Sequence, residues 1–210
     1  MHDNNAEVFF TMKNLINSIF RFLNGLKRPS KRANLKKLQE RSETIDSFTF
    51  RDATEQDIPE LGKLHAMTWA QTYNAKNPNI PLRQHQWRKA FAEENDGSWF
   101  CIVIANKNNE LVGFAKGKIN KDENSSQLHG DLNKIYLLSD YQRLGLGKKL
   151  FRLVVQRFLS QGVNDMFLFG VPQNPSSNFH EAMGGERIYS EKGTFDGCYR
   201  WRDLKKMATP

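Results

Sequence analysis

The chain has 210 residues, of which 39% are hydrophobic and 11% aromatic, and its formal net charge is +8. This composition excludes a collagen-like repeat, a disulfide scaffold, a polytopic membrane protein and a globally disordered chain. The length suits one domain, or one domain with an appendage. The positive charge predicts an anionic partner such as nucleic acid, a membrane surface or a phosphorylated cofactor.

The first 45 residues carry more than half of the excess positive charge, with nine Lys or Arg against four Asp or Glu. Apolar residues recur at helical spacing from Val8 to Leu26, and Gly25 and Pro29 end the pattern. The run is too polar for a secretory signal or a membrane span. It predicts a basic amphipathic helix in residues 8–26 that packs on its own domain, or that contacts a membrane surface or a partner. We therefore divide the chain into an N-terminal extension, residues 1–45, and one domain, residues 46–210.

The remaining signals on partners and compartment are weak. Cys101 lies inside an apolar run, which is typical of a buried thiol, and neither it nor Cys198 belongs to a cluster with metal-ligand spacing. We expect no bound metal and no disulfide framework, which favours a cytoplasmic location, with peripheral membrane contact as an option for the extension. No nucleic-acid-binding motif accompanies the basic charge, so we expect no nucleic-acid partner.

From residue 46 the pattern alternates between short strands and helices. A helix is predicted after Thr54, a good N-cap residue, and it carries an apolar stripe from Ile58 to Trp69. A second helix is predicted at 82–94. Strands are predicted at 48–51, 99–105, 110–118, 131–138 and 165–169. A helix is predicted at 174–183, and the last two strands at 186–190 and 198–203.

The most informative stretch follows the strand at 131–138 and reads Gln-Arg-Leu-Gly-Leu-Gly-Lys over residues 142–148. Gly145 and Gly147 allow a sharp turn and a close approach of the backbone to a ligand. The first amides of the following helix have no intrahelical acceptor and point outward at its positive end. Arg143 and Lys148 add charge, so the stretch predicts a phosphate or pyrophosphate site. It is neither a P-loop nor the dinucleotide fingerprint, because Gln142 and Leu150 stand where those motifs need glycine.

Gln142-Arg143-x-Gly145-x-Gly147, directly after a strand, resembles the acetyl-CoA pyrophosphate loop of the GNAT (GCN5-related N-acetyltransferase) superfamily. The order of predicted elements over roughly residues 47–204 agrees. The resemblance implies an α/β fold with a mixed, mostly antiparallel central sheet flanked by helices. It also implies an N-acetyltransferase that moves an acetyl group from acetyl-CoA, its acyl-donor co-substrate, to a primary amine of a small molecule, peptide or protein. The amine would attack directly in a ternary complex.

The same resemblance implies a set of acetyl-CoA contacts. Backbone at Leu137 and Leu138 would pair with the pantetheine arm, and the Leu137 backbone would polarise the thioester carbonyl. Asn174 matches the family's CoA-contacting Asn, with an N-cap or turn role as the alternative. The residues that would bind the pyrophosphate are Gln142, Arg143, Leu144, Gly145, Leu146, Gly147 and Lys148.

Catalytic candidates also come from the resemblance. Asp131 stands where many relatives have Glu, and the shorter side chain favours proton removal from the amine through a water. A surface-facing Asp is the alternative, and His129 and Asn133 are neighbouring polar candidates. His180 replaces the Tyr with which relatives protonate the leaving thiolate. It is either the proton donor or a packing or binding residue, since a thiolate with a pKa of about 8.5 can leave unprotonated.

The acceptor side is expected to be formed by the first two helices and the last strand pair. The candidates are Trp69, Tyr73, Trp87, Tyr189 and Tyr199, with core packing as the alternative for each. Trp69 and Tyr73 lie one turn apart on a helix face. The sequence does not specify which amine is the acceptor, and the expected oligomeric state is a monomer or a homodimer. Because His180 replaces the family's Tyr, a non-catalytic CoA-binding sensor or interaction module is the alternative function.

Overall fold

The computed structural model describes residues 30–93, 97–122 and 127–208. The strands of these ranges are Thr49–Asp52 (β1), Trp99–Ala105 (β2), Leu111–Lys121 (β3), Leu128–Leu137 (β4), Met166–Phe169 (β5), Glu186–Tyr189 (β6) and Phe195–Trp201 (β7). The helices are Lys31–Glu40 (α1), Ile58–Tyr73 (α2), Ile80–Glu93 (α3), Leu146–Ser160 (α4), Ser177–Ala182 (α5) and Lys205–Ala208 (α6).

The seven strands form one sheet in the order β1-β2-β3-β4-β5-β7-β6. Neighbouring strands are antiparallel except β4 and β5, which are parallel. A parallel pair needs a long crossover, and α4 provides it. The predicted fold class, a mixed and mostly antiparallel sheet flanked by helices, is confirmed.

Two apolar cores cover the two faces of the sheet, and β2 contributes to both. Phe100, Ile102 and Ile104 face the core that contains α4, while Cys101 and Val103 face the core that contains α2 and α3. This alternation follows from the two-residue period of a strand, and a run that is apolar at every position is typical of a strand covered on both faces.

Two of the elements whose bounds differ from the prediction do so for identifiable reasons. α5 begins at Ser177, because Asn174 forms a turn in which its Oδ1 accepts a hydrogen bond from the Ser176 amide at 2.9 Å. β7 begins at Phe195, three residues earlier than predicted, because it pairs with β6 as well as with β5. Pairing with a distant strand leaves no trace in local periodicity, so the sequence pattern missed it.

The second half of the predicted extension packs on the domain. Leu38 of α1 is buried in the same core as α4, and Ser30 caps the helix by accepting a hydrogen bond from the Ala33 amide. The amphipathic helix predicted at 8–26 lies outside the described residues. Of the helices in the described ranges, none combines the length and the apolar character that crossing a bilayer requires.

Candidate active site

The sheet opens between β4 and β5. β4 pairs with β5 at Gly130 and Asp131, whereas on its other side it pairs with β3 as far as Leu137. Within the described ranges, the edge of β4 that faces β5 therefore has no ladder partner after Asp131. Asn133 is an extra residue in β4, a bulge that bends the strand and redirects the side chains beyond it. The open edge can accept an extended ligand that pairs like an added strand.

A loop with outward-pointing amides follows the open edge. The Gln142 Nε2 donates a hydrogen bond back to the Leu137 carbonyl at 2.9 Å, which ties the loop to β4. Arg143 and Gly145 have φ angles of 64° and 88°, so the chain reverses sharply here. The Lys149 amide donates to the Gly145 carbonyl, which begins α4.

The amides of the first three residues of α4, Leu146, Gly147 and Lys148, precede the first helical hydrogen bond and have no acceptor within the helix. Leu144 and Leu146 are buried and anchor the loop in the core. A Cβ at Gly145 would meet nothing within 4 Å, so the space before these amides is open. The site is thus a helix N-terminus with free donors, lysines at its start and room for an anion.

Comparison with known proteins identifies the family. The sequence profile described as "Acetyltransferase (GNAT) family" matches residues 61–184, more than half of the chain. The chain belongs to the acetyltransferase (GNAT) family. The acetyltransferase is 28% identical over 169 residues to a protein of Bacillus subtilis (strain 168) described as "uncharacterized N-acetyltransferase YuaI", a match that covers 77% of this chain and 96% of that protein.

Solved structures share the fold. The PaiA N-acetyltransferase from Thermoplasma acidophilum, in complex with coenzyme A, is 17% identical with a TM-score of 0.61, over 74% of this chain and 99% of that one. The phosphinothricin acetyltransferase from Sinorhizobium meliloti, in complex with AcCoA, is 17% identical with a TM-score of 0.57, over 78% of this chain and 92% of that one. These matches agree with the sheet described above.

Asp131 of the acetyltransferase lies where β4 and β5 part. It is partly buried, and burial raises the pKa of its carboxyl above the usual value, although the hydrogen bond from Asn133 and the nearby Lys134 act in the opposite direction. Asp131 and Leu137 are six positions apart, roughly 20 Å along a strand. One water cannot bridge that span, so a proton from an amine near the Leu137 backbone would need a chain of waters to reach Asp131. His129 lies beside it, with its ring 5.7 Å from that of Phe167.

His180 is buried among aromatic rings. It is 2% exposed, its ring lies 5.3 Å from that of Tyr199, and its Nδ1 has no hydrogen-bond partner. Burial lowers the pKa of His180 to about 4, so the imidazole is neutral at pH 7. This environment favours a packing role for His180. It disfavours proton donation, because little imidazolium is present at pH 7.

The acceptor candidates Trp69 and Tyr73 form a partly exposed pair beside the end of β4. Their rings lie 5.2 Å apart, and the Tyr73 hydroxyl is hydrogen-bonded to that of Tyr136. The Arg83 guanidinium lies 5.3 Å from the centre of the Trp69 ring. Tyr136 and Arg83 were not among the predicted site residues. The only sequence signal for Tyr136 is its place next to Leu137, on the opposite face of the strand.

The other aromatic candidates divide by burial. Trp87 is 2% exposed and packs on Phe114 in the core of α2 and α3, so its side chain does not line the surface. Tyr199 is also buried, whereas Tyr189 is exposed on β6. Of these aromatics, Trp69 and Tyr73 are the ones that lie beside the open end of β4.

Proposed function

We propose that this acetyltransferase moves an acetyl group from acetyl-CoA to a primary amine. The observation that carries the proposal is the juxtaposition of the open edge of β4 with the three free amides of Leu146, Gly147 and Lys148. The amides would hold the pyrophosphate, with Arg143 adding charge. The backbone of Leu137 and Leu138 would pair with the pantetheine arm. Asn174, whose side chain holds the turn before α5, stays a proposed CoA contact.

The amine nitrogen would attack the acetyl carbonyl carbon directly, the carbon–sulfur bond would break, and CoA would leave as the thiolate. Asp131 would receive the amine's proton through water. A buried Cys101, whose thiol has its pKa raised by burial, supports direct transfer because this thiol is a poor nucleophile. No covalent enzyme intermediate is then needed.

A panel of amines tests the proposal. Each amine is mixed with the enzyme and acetyl-CoA, and released CoA is detected with a thiol reagent. The panel includes amino acids, an amino sugar, a polyamine, a lysine peptide and a peptide N-terminus. CoA release with one class supports the proposal. If calorimetry shows that CoA binds but no amine causes release of CoA from acetyl-CoA, the result would support the alternative, a CoA-binding sensor.

The charge beside Trp69 favours acceptors with an acidic group over polyamines. His65, buried below Tyr136, has its pKa lowered to about 3, first by burial and then by the positive charges of Arg83 and Lys134. Both cations therefore act on the same small region. A carboxylate or phosphate near the acceptor amine would be attracted there, whereas a polycation would be repelled.

Replacing Arg83 with glutamine tests this acceptor preference. We expect KM for an acceptor with an acidic group to rise about fivefold, because one charge-assisted contact is lost, while KM for acetyl-CoA stays within twofold. Arg88→Gln, an exposed arginine of the same helix, is the matched control and should change neither constant. Equal effects of the two variants would remove Arg83 from the acceptor site.

Replacing His180 with phenylalanine separates packing from proton donation. We expect the acetyl-transfer rate and its pH profile to stay within twofold of the original. The folded-state pKa of about 4 lies below the unfolded value of about 6.5, so the unfolded chain takes the proton first and stability is lost as pH falls from about 6.5 towards 4. Between pH 7 and pH 4, the free energy of unfolding should therefore fall by on the order of 2 kcal/mol less in the variant than in the original protein. Denaturant unfolding at the two pH values measures the difference.

The control for this experiment is His85→Gln, because His85 is exposed on α3 and should leave the acid-dependent stability unchanged. A large fall in kcat for His180→Phe, with loss of one limb of the pH profile, would instead make His180 the proton donor.

For residues 8–26 we propose a contact with a membrane surface or a partner. Sedimentation of the full chain with anionic vesicles tests the membrane option, and absence of pelleting would contradict it. The oligomer, monomer or homodimer, is read from light scattering of the same sample.

A further inference from the structure

α1 lies outside the segment that matches the family profile, residues 61–184, yet it contacts the start of the proposed acetyl-CoA loop. Asn34 is 2% exposed. Its Nδ2 donates to the Ser139 carbonyl at 2.8 Å and to the Gln142 carbonyl at 2.9 Å. A single side-chain amide thus uses both of its hydrogens to fix the two ends of the turn that leads into the loop.

An ion-pair group holds the middle of the same turn. Lys37 Nζ lies 2.6 Å from Asp140 Oδ1, and Arg41 Nη2 lies 2.6 Å from Asp140 Oδ2. The Arg41 guanidinium also lies 5.2 Å from the centre of the Tyr141 ring. All four residues from Ser139 to Gln142 are therefore contacted by α1 or by Arg41, the residue that caps its C-terminus, and the contacts come from consecutive turns of one face.

The loop needs support of this kind because its backbone adopts an unfavourable conformation. Arg143 has a φ of 64°, in the left-handed region that non-glycine residues seldom adopt. The residue before it, Gln142, is held from both sides, since its carbonyl accepts from Asn34 and its side chain donates to Leu137. Fixing Gln142 limits the directions in which the amides at the start of α4 can point.

We propose that α1 is a positioning element for the acetyl-CoA loop, with Asn34 as its central positioning residue. The proposal rests on the proposed function, because it takes the loop as the pyrophosphate site. Asn34 touches neither co-substrate, and it acts by holding the carbonyls of Ser139 and Gln142. The extension thereby contributes to donor binding, a role that the matched family segment does not contain.

Asn34→Leu tests the proposal, because leucine keeps the branched shape and removes both donors. We expect CoA binding, measured by calorimetry on the full chain, to weaken about tenfold, with KM for acetyl-CoA rising in parallel. S-acetylpantetheine is the diagnostic donor because it lacks the pyrophosphate. Its kcat/KM should stay within twofold, which a general loss of folding would not allow.

Two further variants complete the test. Lys36→Gln is the matched control, since Lys36 is exposed on α1 and pairs only loosely with Glu40 at 3.8 Å, so it should behave as the unaltered chain. The double variant Lys37→Gln, Arg41→Gln alters only half-exposed side chains, should fold, and should weaken CoA binding about threefold. Unchanged CoA binding in both Asn34→Leu and the double variant would overturn the proposal. So would equal losses of kcat/KM with acetyl-CoA and with S-acetylpantetheine. If the unaltered chain itself binds no CoA, the proposed function fails first and this inference fails with it.

Discussion

Gly145→Asp is expected to weaken CoA binding on the order of 100-fold. Gly145 precedes the free amides at the start of α4, and the space where a Cβ would lie is open, so an aspartate there would add a negative charge next to the proposed pyrophosphate site. Two charges 5 Å apart at an effective dielectric of about 20 interact by roughly 3 kcal/mol, which corresponds to about two orders of magnitude in Kd. Calorimetry with CoA measures the effect directly.

Gly162→Asp is the matched control. Gly162 also has a positive φ, 78° against 88°, and a Cβ there would likewise meet nothing within 4 Å. Both variants should lose about 1 kcal/mol of stability from left-handed strain, but the control should bind CoA normally because it lies after α4, at the opposite end of that helix. Similar CoA affinities for the two variants would mean that the loop does not bind the pyrophosphate.

Asp131→Asn is expected to lower kcat/KM for the amine on the order of 100-fold, at the lower end of the range for proton transfer because a chain of waters would lie between the proposed base and the substrate. The rate should depend on pH in a defined direction. The carboxylate must be ionised to accept a proton, and burial raises its pKa, so activity should fall at a higher pH than an ordinary carboxyl would give. The asparagine variant should lose this acid limb, read from rate profiles between pH 4 and pH 9.

Asp131→Glu and Asp46→Asn are the control variants for Asp131→Asn. Glutamate keeps a carboxylate and should retain a large part of the rate together with the acid limb. Asp46 is an exposed acid just before β1, at the far edge of the sheet from β5, and its loss tests the effect of net charge alone. An asparagine variant of Asp131 with normal activity and an unchanged pH profile would exclude Asp131 as the base.

The candidate site was predictable where local sequence dictates local geometry. Gly145 adopts the positive φ that glycine permits, and the run from Trp99 to Ala105 forms the predicted strand with the predicted bounds. The same holds for the order of elements, which follows from periodicities of two and 3.6 residues. Periodicity does not report which strands are neighbours, so it could not show that β4 and β5 pair at Gly130 and Asp131 and then part.

Side-chain environment was less predictable. His180 and Trp87 look like site residues in the sequence because of their type and place, but both are enclosed by the core, and burial decides what chemistry they can do. The pKa of His180 shows this, since the same imidazole would titrate near its usual value on the surface.

The positively charged segments show the same contrast between what local sequence predicts and what tertiary packing decides. The sequence by itself determined that the chain carries a basic extension and a glycine-containing turn at a helix start, because both are properties of neighbouring residues. Only the tertiary structure decided where part of the extension packs. Lys37 of α1 and Arg41, the residue directly after that helix, face Asp140, and Asn34 reaches the carbonyl of Ser139, 105 residues away. Contacts over such separations depend on how whole elements pack, which no local pattern of residues encodes.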